Sequence, residues 1–534
     1  MPKPVVLIAE ELSPATLDAL GPDFEIRRCT GSDRDALLEA LPAADAVLVR
    51  SATRLDAEAI AAGARLKVIG RAGVGLDNVD VPAASRAGVM VVNAPTSNIV
   101  SAAELTVGLL LAVARNVPQA DAALRKGHWQ RSRFTGVELA DKVLGVVGLG
   151  RIGTLVARRM AAFDMRVIAY DPYVPPAYAT QTGVRIVGLD ELLAESDFLT
   201  VHLPKTQETE GLIGFDALHR VKPGVRIVNA ARGGIVDEAE LYAALKEGRV
   251  AAAGVDVFTT EPCTESPLFE LDNVVVTPHL GAGTVEAQER AGVAVAESVR
   301  QALAGRFVPE AVNVRLGTVD DELAPWLLLA ERLGRLFTAT AGSLPELLQV
   351  RVRGEIGRHD VAALELGALK GALGSVVEGG VSYVNAPLIA QERGLATELR
   401  TDPDHPEHRS LLSVHGVLPT GEEVWVSGTL SGLRRRERLV DVCGFEVDLP
   451  LEGDVAFLRA PARPGVIGAV GEALGKGGQD VDGVQVARSA DRAEILAAVH
   501  TAGPVAQSAL DDTAARIDAT RSWSLEKSER TASG

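Results

Sequence analysis

The segment Val143-Leu-Gly-Val-Val-Gly148-Leu-Gly150-Arg-Ile-Gly153 constrains the fold more than any other part of the chain. An apolar run feeding GxGxxG reads as a buried strand that turns directly into a helix. Gly148 permits the tight turn, Gly150 lets backbone approach a pyrophosphate, and Gly153 lets helix and strand pack closely. The predicted helix carries Val156, Ala157 and Met160 on one face. Its N-terminus offers unpaired N–H groups and partial positive charge to phosphate, with Arg151 and Ile152 in the first turn. Asp171 follows the next predicted strand, 166–170, close to the ~20-residue spacing of dinucleotide sites. A carboxylate there accepts hydrogen bonds from ribose hydroxyls and repels a 2′-phosphate, which favours NAD over NADP. On the motif alone, FAD and S-adenosylmethionine compete.

The surroundings repeat the same unit. Apolar runs at 5–9, 46–49 and 67–70 alternate with helical stretches, the first of these opening at Ser13-Pro14. Further strands are predicted at 143–147, 166–170, 198–202, 225–229, 254–258 and 274–277, with long helices at 101–115 and 285–303. Hydrophobic residues make up 47% of the chain and aromatics only 4%, so the core is aliphatic, as parallel sheets covered on both faces require. The fold class expected is α/β and doubly wound. After about 314 the pattern changes. A helix is predicted at 325–337, strands at 350–353 and 424–428, and a Pro- and Asp-rich loop at 402–408. A strand–helix–strand–strand series at 455–499 suits a small ferredoxin-like α+β module. The polar tail, 521–534, is expected to be mobile, with Trp523 as the candidate exception.

A net charge of −17 repels a phosphate backbone, so no nucleic-acid partner is expected. An anionic substrate must then meet local basic residues inside a cleft. No apolar run approaches the length of a membrane span, and no signal-peptide pattern opens the chain; a cytoplasmic protein without membrane association is expected. Cys29, Cys263 and Cys443 form no CxxC pair, so neither a disulfide framework nor a metal site is expected.

Three stretches at predicted strand ends carry reactive residues: Asn229-Ala230-Ala-Arg232-Gly-Gly, Asp256-Val-Phe-Thr-Thr-Glu261-Pro, and Thr277-Pro-His279-Leu-Gly281-Ala282. Ligands of open α/β sheets lie at the carboxyl ends of strands. An imidazole can take and return a hydroxyl proton near neutral pH. A carboxylate on its second nitrogen fixes the tautomer, and an arginine fork can clamp a substrate carboxylate.

With Arg50-Ser51-Ala-Thr53, Arg71-Ala-Gly-Val74-Gly75-Leu-Asp-Asn-Val-Asp80, Asn93-Ala-Pro-Thr-Ser-Asn98 and Ser101-Ala-Ala-Glu104, these stretches resemble the D-2-hydroxyacid dehydrogenase family. The likeness is strongest to its long branch, which carries an intervening module and an ACT-type regulatory module and oxidises 3-phospho-D-glycerate to 3-phosphohydroxypyruvate, the first step of L-serine biosynthesis. The resemblance implies Arg232 as carboxylate binder, His279 as acid/base and Glu261 as its orienting partner. It implies NAD contacts from Gly148, Gly150, Arg151, Ile152, Gly153, Asp171, Ala230, Asp256, Gly281 and Ala282. It places Arg50, Ser51, Arg71, Val74, Gly75 and Asn98 at the substrate. Arg131 and Arg133 are expected to reach its phosphate, in a neighbouring subunit's cleft or as part of a solvated face. It implies a substrate-binding domain of 1–98 plus 285–314, an inserted NAD domain of 99–284, an intervening domain of 315–452, an ACT-like domain of 453–528 and a mobile tail of 529–534. A homodimer or homotetramer follows. So do a side activity on 2-oxoglutarate and, for the intervening module, anion sensing through Lys370, Arg409 and 434–436.

Two departures from the family pattern stand out. Ala460, Ala462 and Asp480 occupy the places where polar residues bind serine, so weak or absent serine inhibition is expected. Gly283 replaces a serine beside the nicotinamide region. A dehydrogenase for another anionic D-2-hydroxyacid is the nearest competing reading, ahead of a non-catalytic NAD-sensing protein.

Overall fold

A computed structural model describes residues 2–174, 183–306, 308–314, 322–377, 381–451 and 453–526. The expected tail, 529–534, lies outside the described residues.

The first sheet holds β1 (Val5–Ile8), β2 (Glu25–Arg28), β3 (Ala46–Val49), β4 (Val68–Arg71) and β5 (Met90–Val92), in the order β2-β1-β3-β4-β5. All its pairings are parallel. β1 and β3 are apolar and buried at every position, because helices cover both faces. One covering helix comes from far along the chain. Helix Val285–Leu303 lies on β4 so closely that a Cβ at Gly70 would stand 2.5 Å from Val295 Cγ1. The chain after that helix stays with this sheet, where Val312 N donates to Val91 O and Asn313 donates to Val89 O.

The second sheet is β6 (Val143–Val147), β7 (Arg166–Tyr170), β8 (Arg185–Ile186), β9 (Phe198–Val201), β10 (Val225–Asn229), β11 (Val250–Val255) and β12 (Val274–Val276). Its order is β12-β11-β10-β9-β6-β7-β8, all parallel. The strand order reverses between β6 and β9, which opens a crevice at their carboxyl ends. Helix Ile99–Arg115 covers β11, with Gly254 leaving room for Leu109 and Val113. β11 begins and ends earlier than its apolar run predicts. Residues 256–258 leave the sheet because the Asp256 side chain turns to bind the loop after β12.

The last third forms two more sheets. β13 (Leu347–Gly354), β14 (Ala396–Asp402), β15 (Ser410–Val417), β16 (Glu423–Ser431), β17 (Arg436–Val442) and β18 (Phe445–Pro450) run in the order β14-β13-β15-β16-β17-β18. Helices Ala324–Ala341 and Ala362–Gly374 pack against this sheet and against each other, and a Cβ at Gly334 would stand 2.0 Å from Ala368 O. β19 (Asp454–Pro461), β20 (Val481–Arg488), β21 (Glu494–Thr501) and β22 (Arg521–Leu525) make an antiparallel sheet ordered β20-β21-β19-β22. With helices Val466–Lys476 and Gln507–Ile517 this is a complete βαββαβ unit. The expectation of a mobile segment from 521 onward is corrected at its start. Residues 521–525 pair with β19, and Trp523 stacks on Phe457 with ring centroids 5.4 Å apart.

Candidate active site

The ends of β10, β11 and β12 converge. After β10, Asn229 folds its own turn. Its Oδ1 accepts Ala231 N at 3.1 Å and its Nδ2 donates to Arg232 O at 3.0 Å, while Arg232 Nη1 donates to Ala231 O at 2.7 Å. Gly233 lets this turn lie against the next one, since a Cβ there would stand 2.0 Å from the Phe258 carbonyl carbon.

Glu261 closes that second turn and reaches across it. Its Oε1 accepts Phe258 N at 3.0 Å, and its Oε2 lies 2.6 Å from His279 Nδ1. A carboxylate only accepts, so Nδ1 carries the hydrogen and Nε2 is left to exchange a proton. His279 sits at φ 53°, a left-handed conformation uncommon for non-glycine residues. Asp256 holds it there. The Asp256 carbonyl accepts His279 N at 2.8 Å. Its fully buried carboxylate accepts Thr277 Oγ1 at 2.5 Å, Leu280 N at 2.7 Å and Gly281 N at 3.0 Å. Burial raises this carboxyl above the usual range, against those hydrogen bonds.

The first sheet supplies the facing wall. Gly75 brings its loop against Arg232, whose Nη2 lies 3.2 Å from the position of a Gly75 Cβ. Asn93 Nδ2 fixes that loop by donating to Val74 O at 2.6 Å. Arg71 lies across Gly73, where a Cβ would stand 1.7 Å from its Nη1. Burial, aided by the neighbouring Arg232 and Arg50, holds the Arg71 guanidinium below its usual pKa, while Asp77 and Glu10 oppose the shift. Arg50, Arg71 and Arg232 thus lie within electrostatic reach of one another, and the Arg232 turn packs on the turn that carries Glu261. Asn98 caps helix Ile99–Arg115 without a side-chain hydrogen bond, and Ser101 Oγ meets Thr284 Oγ1 at 2.6 Å, which ties the two crossing helices together.

The crevice between β6 and β9 is bordered by the closely packed Gly148–Gly153 turn. A Cβ at Gly148 would press on His202 O at 2.7 Å, and one at Gly153 on Gly148 O at 2.1 Å. Gly150, the N-cap of helix Arg151–Ala161, faces open space and has no capping side chain. Its helix N–H groups are therefore available to an anion. Asp171 stands at the end of β7, its carboxylate accepting Leu149 N at 2.9 Å and Tyr173 N at 3.0 Å. These features fit a dinucleotide with unmodified ribose hydroxyls.

Comparison with known proteins agrees with this geometry. Residues 107–281 match the family described as D-isomer specific 2-hydroxyacid dehydrogenase, NAD binding domain, and 322–443 match the D-3-phosphoglycerate dehydrogenase intervening domain. The D-3-phosphoglycerate dehydrogenase of Mycobacterium tuberculosis is 55% identical over 491 residues, covering 92% of this chain and 93% of that protein. The chain belongs to the D-3-phosphoglycerate dehydrogenase family. The Archaeoglobus fulgidus member is 41% identical over 491 residues, with 91% and 93% coverage. Among solved structures, the TT0316 protein of Thermus thermophilus is 36% identical with a TM-score of 0.53, covering 58% of this chain and 99% of that one. The D-lactate dehydrogenase of Aquifex aeolicus, crystallised with NAD and lactic acid, is 29% identical with a TM-score of 0.51, covering 56% and 96%.

In this dehydrogenase most of the residues singled out from sequence converge. Arg232, Glu261, His279, Asp256, Gly281 and Ala282 line the ends of β10 to β12, with Ala230 beside them. Arg50, Arg71, Val74 and Gly75 face them, and Ser51 is exposed on the loop that starts at Arg50. Arg131 and Arg133 do not join them within one chain. Arg133 Nη2 binds Asp272 at 2.8 Å, ahead of β12, whereas His279 follows the other end of that strand. Both arginines are exposed, beside the 77%-exposed Trp129. Lys370 is also diverted: it donates to Glu331 at 2.7 Å inside the intervening domain, and Arg409 pairs with Glu355 at 2.6 Å. Glu10, Asn78 and Asn93, to which the sequence assigns no role, are polar pins whose partners lie on neighbouring strand ends.

Proposed function

We propose that His279, Glu261 and Arg232 carry the reaction of this family, the NAD-dependent oxidation of 3-phospho-D-glycerate to 3-phosphohydroxypyruvate in serine biosynthesis. The His279–Glu261 pair at 2.6 Å, opposite Arg232 and Gly75, is the observation that supports it most. Arg232 binds the substrate carboxylate and draws the C2 oxygen toward His279. His279 Nε2 takes the hydroxyl proton as the C2–H bond breaks, and Glu261 stabilises the imidazolium that results. The Gly148–Gly153 turn and Asp171 would hold NAD, which would supply the acceptor for the hydride leaving C2. Asp171 orients the cofactor ribose and Asp256 keeps the His279 loop in register. Arg50 and Arg71 face the distal, phosphate-bearing end. Closure of the two halves of the cleft, whose crossing helices meet at Ser101 and Thr284, excludes water during transfer.

The same reading divides the chain at the boundaries given above and assigns the βαββαβ unit as an ACT-like regulatory module. Ala460 and Ala462 offer a serine no side-chain hydrogen bond, and Asp480 stands where the family has an asparagine, so inhibition by serine is expected to be weak or absent. A homodimer or homotetramer is supported by exposed Trp129, Val117 and Leu124 on and just after the 117–125 helix; in such an assembly the following 131–134 turn would offer Arg131 and Arg133 to a neighbouring cleft. A cytoplasmic setting accords with the absence, among the described residues, of any single helix long and apolar enough to cross a membrane. The test is NADH formation from a panel of D-2-hydroxyacids. Preferential turnover of 3-phosphoglycerate supports the reading; turnover of another acid with none of 3-phosphoglycerate overturns it.

A further inference from the structure

We infer that Glu10 is a positioning residue for recognition of the substrate's distal anionic group, an inference that rests on the reading of Arg50 as facing that group. Glu10 follows β1, and the loop from Arg50 to Thr53 follows the adjacent strand, β3. The Glu10 carboxylate straddles this loop. Oε1 accepts Arg50 N at 2.8 Å and Thr53 N at 2.9 Å, and Oε2 accepts Ala52 N at 3.3 Å. Asn78 holds the loop from its other polar groups, donating through Nδ2 to Arg50 O at 2.7 Å and Thr53 O at 2.6 Å. The ends of a four-residue loop are thus gripped through donors and acceptors alike.

This arrangement has two consequences. The first is geometric. Three converging N–H groups set the backbone at Arg50, and therefore where its guanidinium projects. Short polar loops of this kind otherwise sample several conformations, and an arginine on a mobile loop loses much of its affinity to ordering entropy. The second is electrostatic. Converging backbone N–H groups are themselves an anion site. With Glu10 seated on them, the incoming anion is directed to the side chains of Arg50 and Arg71 instead. Glu10 also lies near enough to Arg71 to favour its charged form, offsetting the mutual repulsion of Arg50, Arg71 and Arg232. Both effects act on the end of the substrate away from C2. Glu10 should therefore govern KM for the phosphorylated substrate and leave the chemical step alone.

The experiment compares Glu10→Ala, Glu10→Gln and Arg50→Ala with wild type in the full-length enzyme, measuring kcat, KM for 3-phosphohydroxypyruvate and KM for NADH in the reductive direction. Glu10→Ala is expected to raise KM for 3-phosphohydroxypyruvate ~10-fold or more, consistent with the ~10²-fold that a 1 Å misplacement can cost. KM for NADH and kcat should stay within about twofold. Glu10→Gln keeps one oxygen for the Arg50 and Thr53 N–H groups and loses the acceptor for Ala52, so it should fall between wild type and alanine. It also serves as the readable variant if alanine fails to fold. Wild-type KM in the Glu10 variants, while Arg50→Ala raises it, overturns the inference and leaves the substrate reading standing. An equal loss in kcat and in both KM values overturns it too, because that is the signature of general destabilisation. An unchanged KM in Arg50→Ala overturns the underlying placement of the distal anion.

Discussion

Gly233→Ala should damage catalysis without altering any reacting group. Gly233 lies between the Arg232 turn and the 258–261 turn, and its missing side chain is what lets them touch. A Cβ there would stand 2.0 Å from the Phe258 carbonyl carbon, 2.0 Å from its oxygen and 2.5 Å from Thr259 N. All three atoms are backbone, so no rotamer change relieves the clash. Ordinary contact begins at 3.4 Å, so one turn must retreat by roughly 1.4 Å at this point, enough to enter the range where ~1 Å costs ~10²-fold in rate. The retreat separates Arg232 from Glu261 and, through Glu261 Oε2, tilts His279. We expect kcat/KM for 3-phosphoglycerate to fall about 10²-fold, with overpacking costing ~1–3 kcal/mol of stability. For domains of this size that lowers the melting midpoint by very roughly 2–12 °C. Steady-state kinetics and calorimetry on the same preparation read both quantities. An alanine variant with wild-type kcat/KM would refute the claim that close packing of these two turns sets the catalytic geometry.

Two further outcomes follow from the cofactor side. Asp171→Ala should raise KM for NAD ~10-fold or more, since hydrogen bonds to a charged group are worth ~1.5–3 kcal/mol, and should narrow the preference for NAD over NADP; a KM within twofold of wild type would count against Asp171 as the ribose carboxylate. Burial pushes the His202 imidazole, below the Gly148 turn, from its ordinary 6.5 down to about 4. The unfolded chain therefore binds a proton that the native state refuses. The stability is intact above pH 6.5 and is lost as pH falls toward about 4, by up to ~3 kcal/mol. His202→Gln should flatten that part of the stability-versus-pH curve in urea titrations; an identical slope in both proteins would show that His202 does not carry it.

Local signals made the two parallel sheets legible. β3 and β6 are unbroken apolar runs because both faces of their sheets are covered, and such runs are visible in any single sequence. The reactive residues were legible for a related reason: they stand just past the ends of those runs. β11 was misplaced because Val257 and Phe258 extend its apolar pattern, while a longer-range force, the Asp256 carboxylate binding the 280–281 backbone, pulls them out of the sheet. β22 escaped because Arg521-Ser-Trp-Ser-Leu alternates only weakly, and its partner β19 lies far back along the chain. Glu10 escaped for the same reason, since its three donors are 40 to 43 residues on and only the strand order brings them together. The family resemblance assigns Arg131 and Arg133 to the phosphate of a neighbouring cleft or to a solvated face, and within one chain Arg133 stands at the opposite end of β12 from His279.

The central claim is that His279, oriented by Glu261, moves the substrate proton during NAD-dependent oxidation. Its most direct test is the rate of NADH formation from 3-phosphoglycerate by wild type and by His279→Ala, with KM for NAD measured alongside. General acid–base catalysis contributes ~10²–10⁴-fold. The account predicts a loss of kcat in that range with KM for NAD unchanged, and a wild-type kcat in the alanine variant would contradict it.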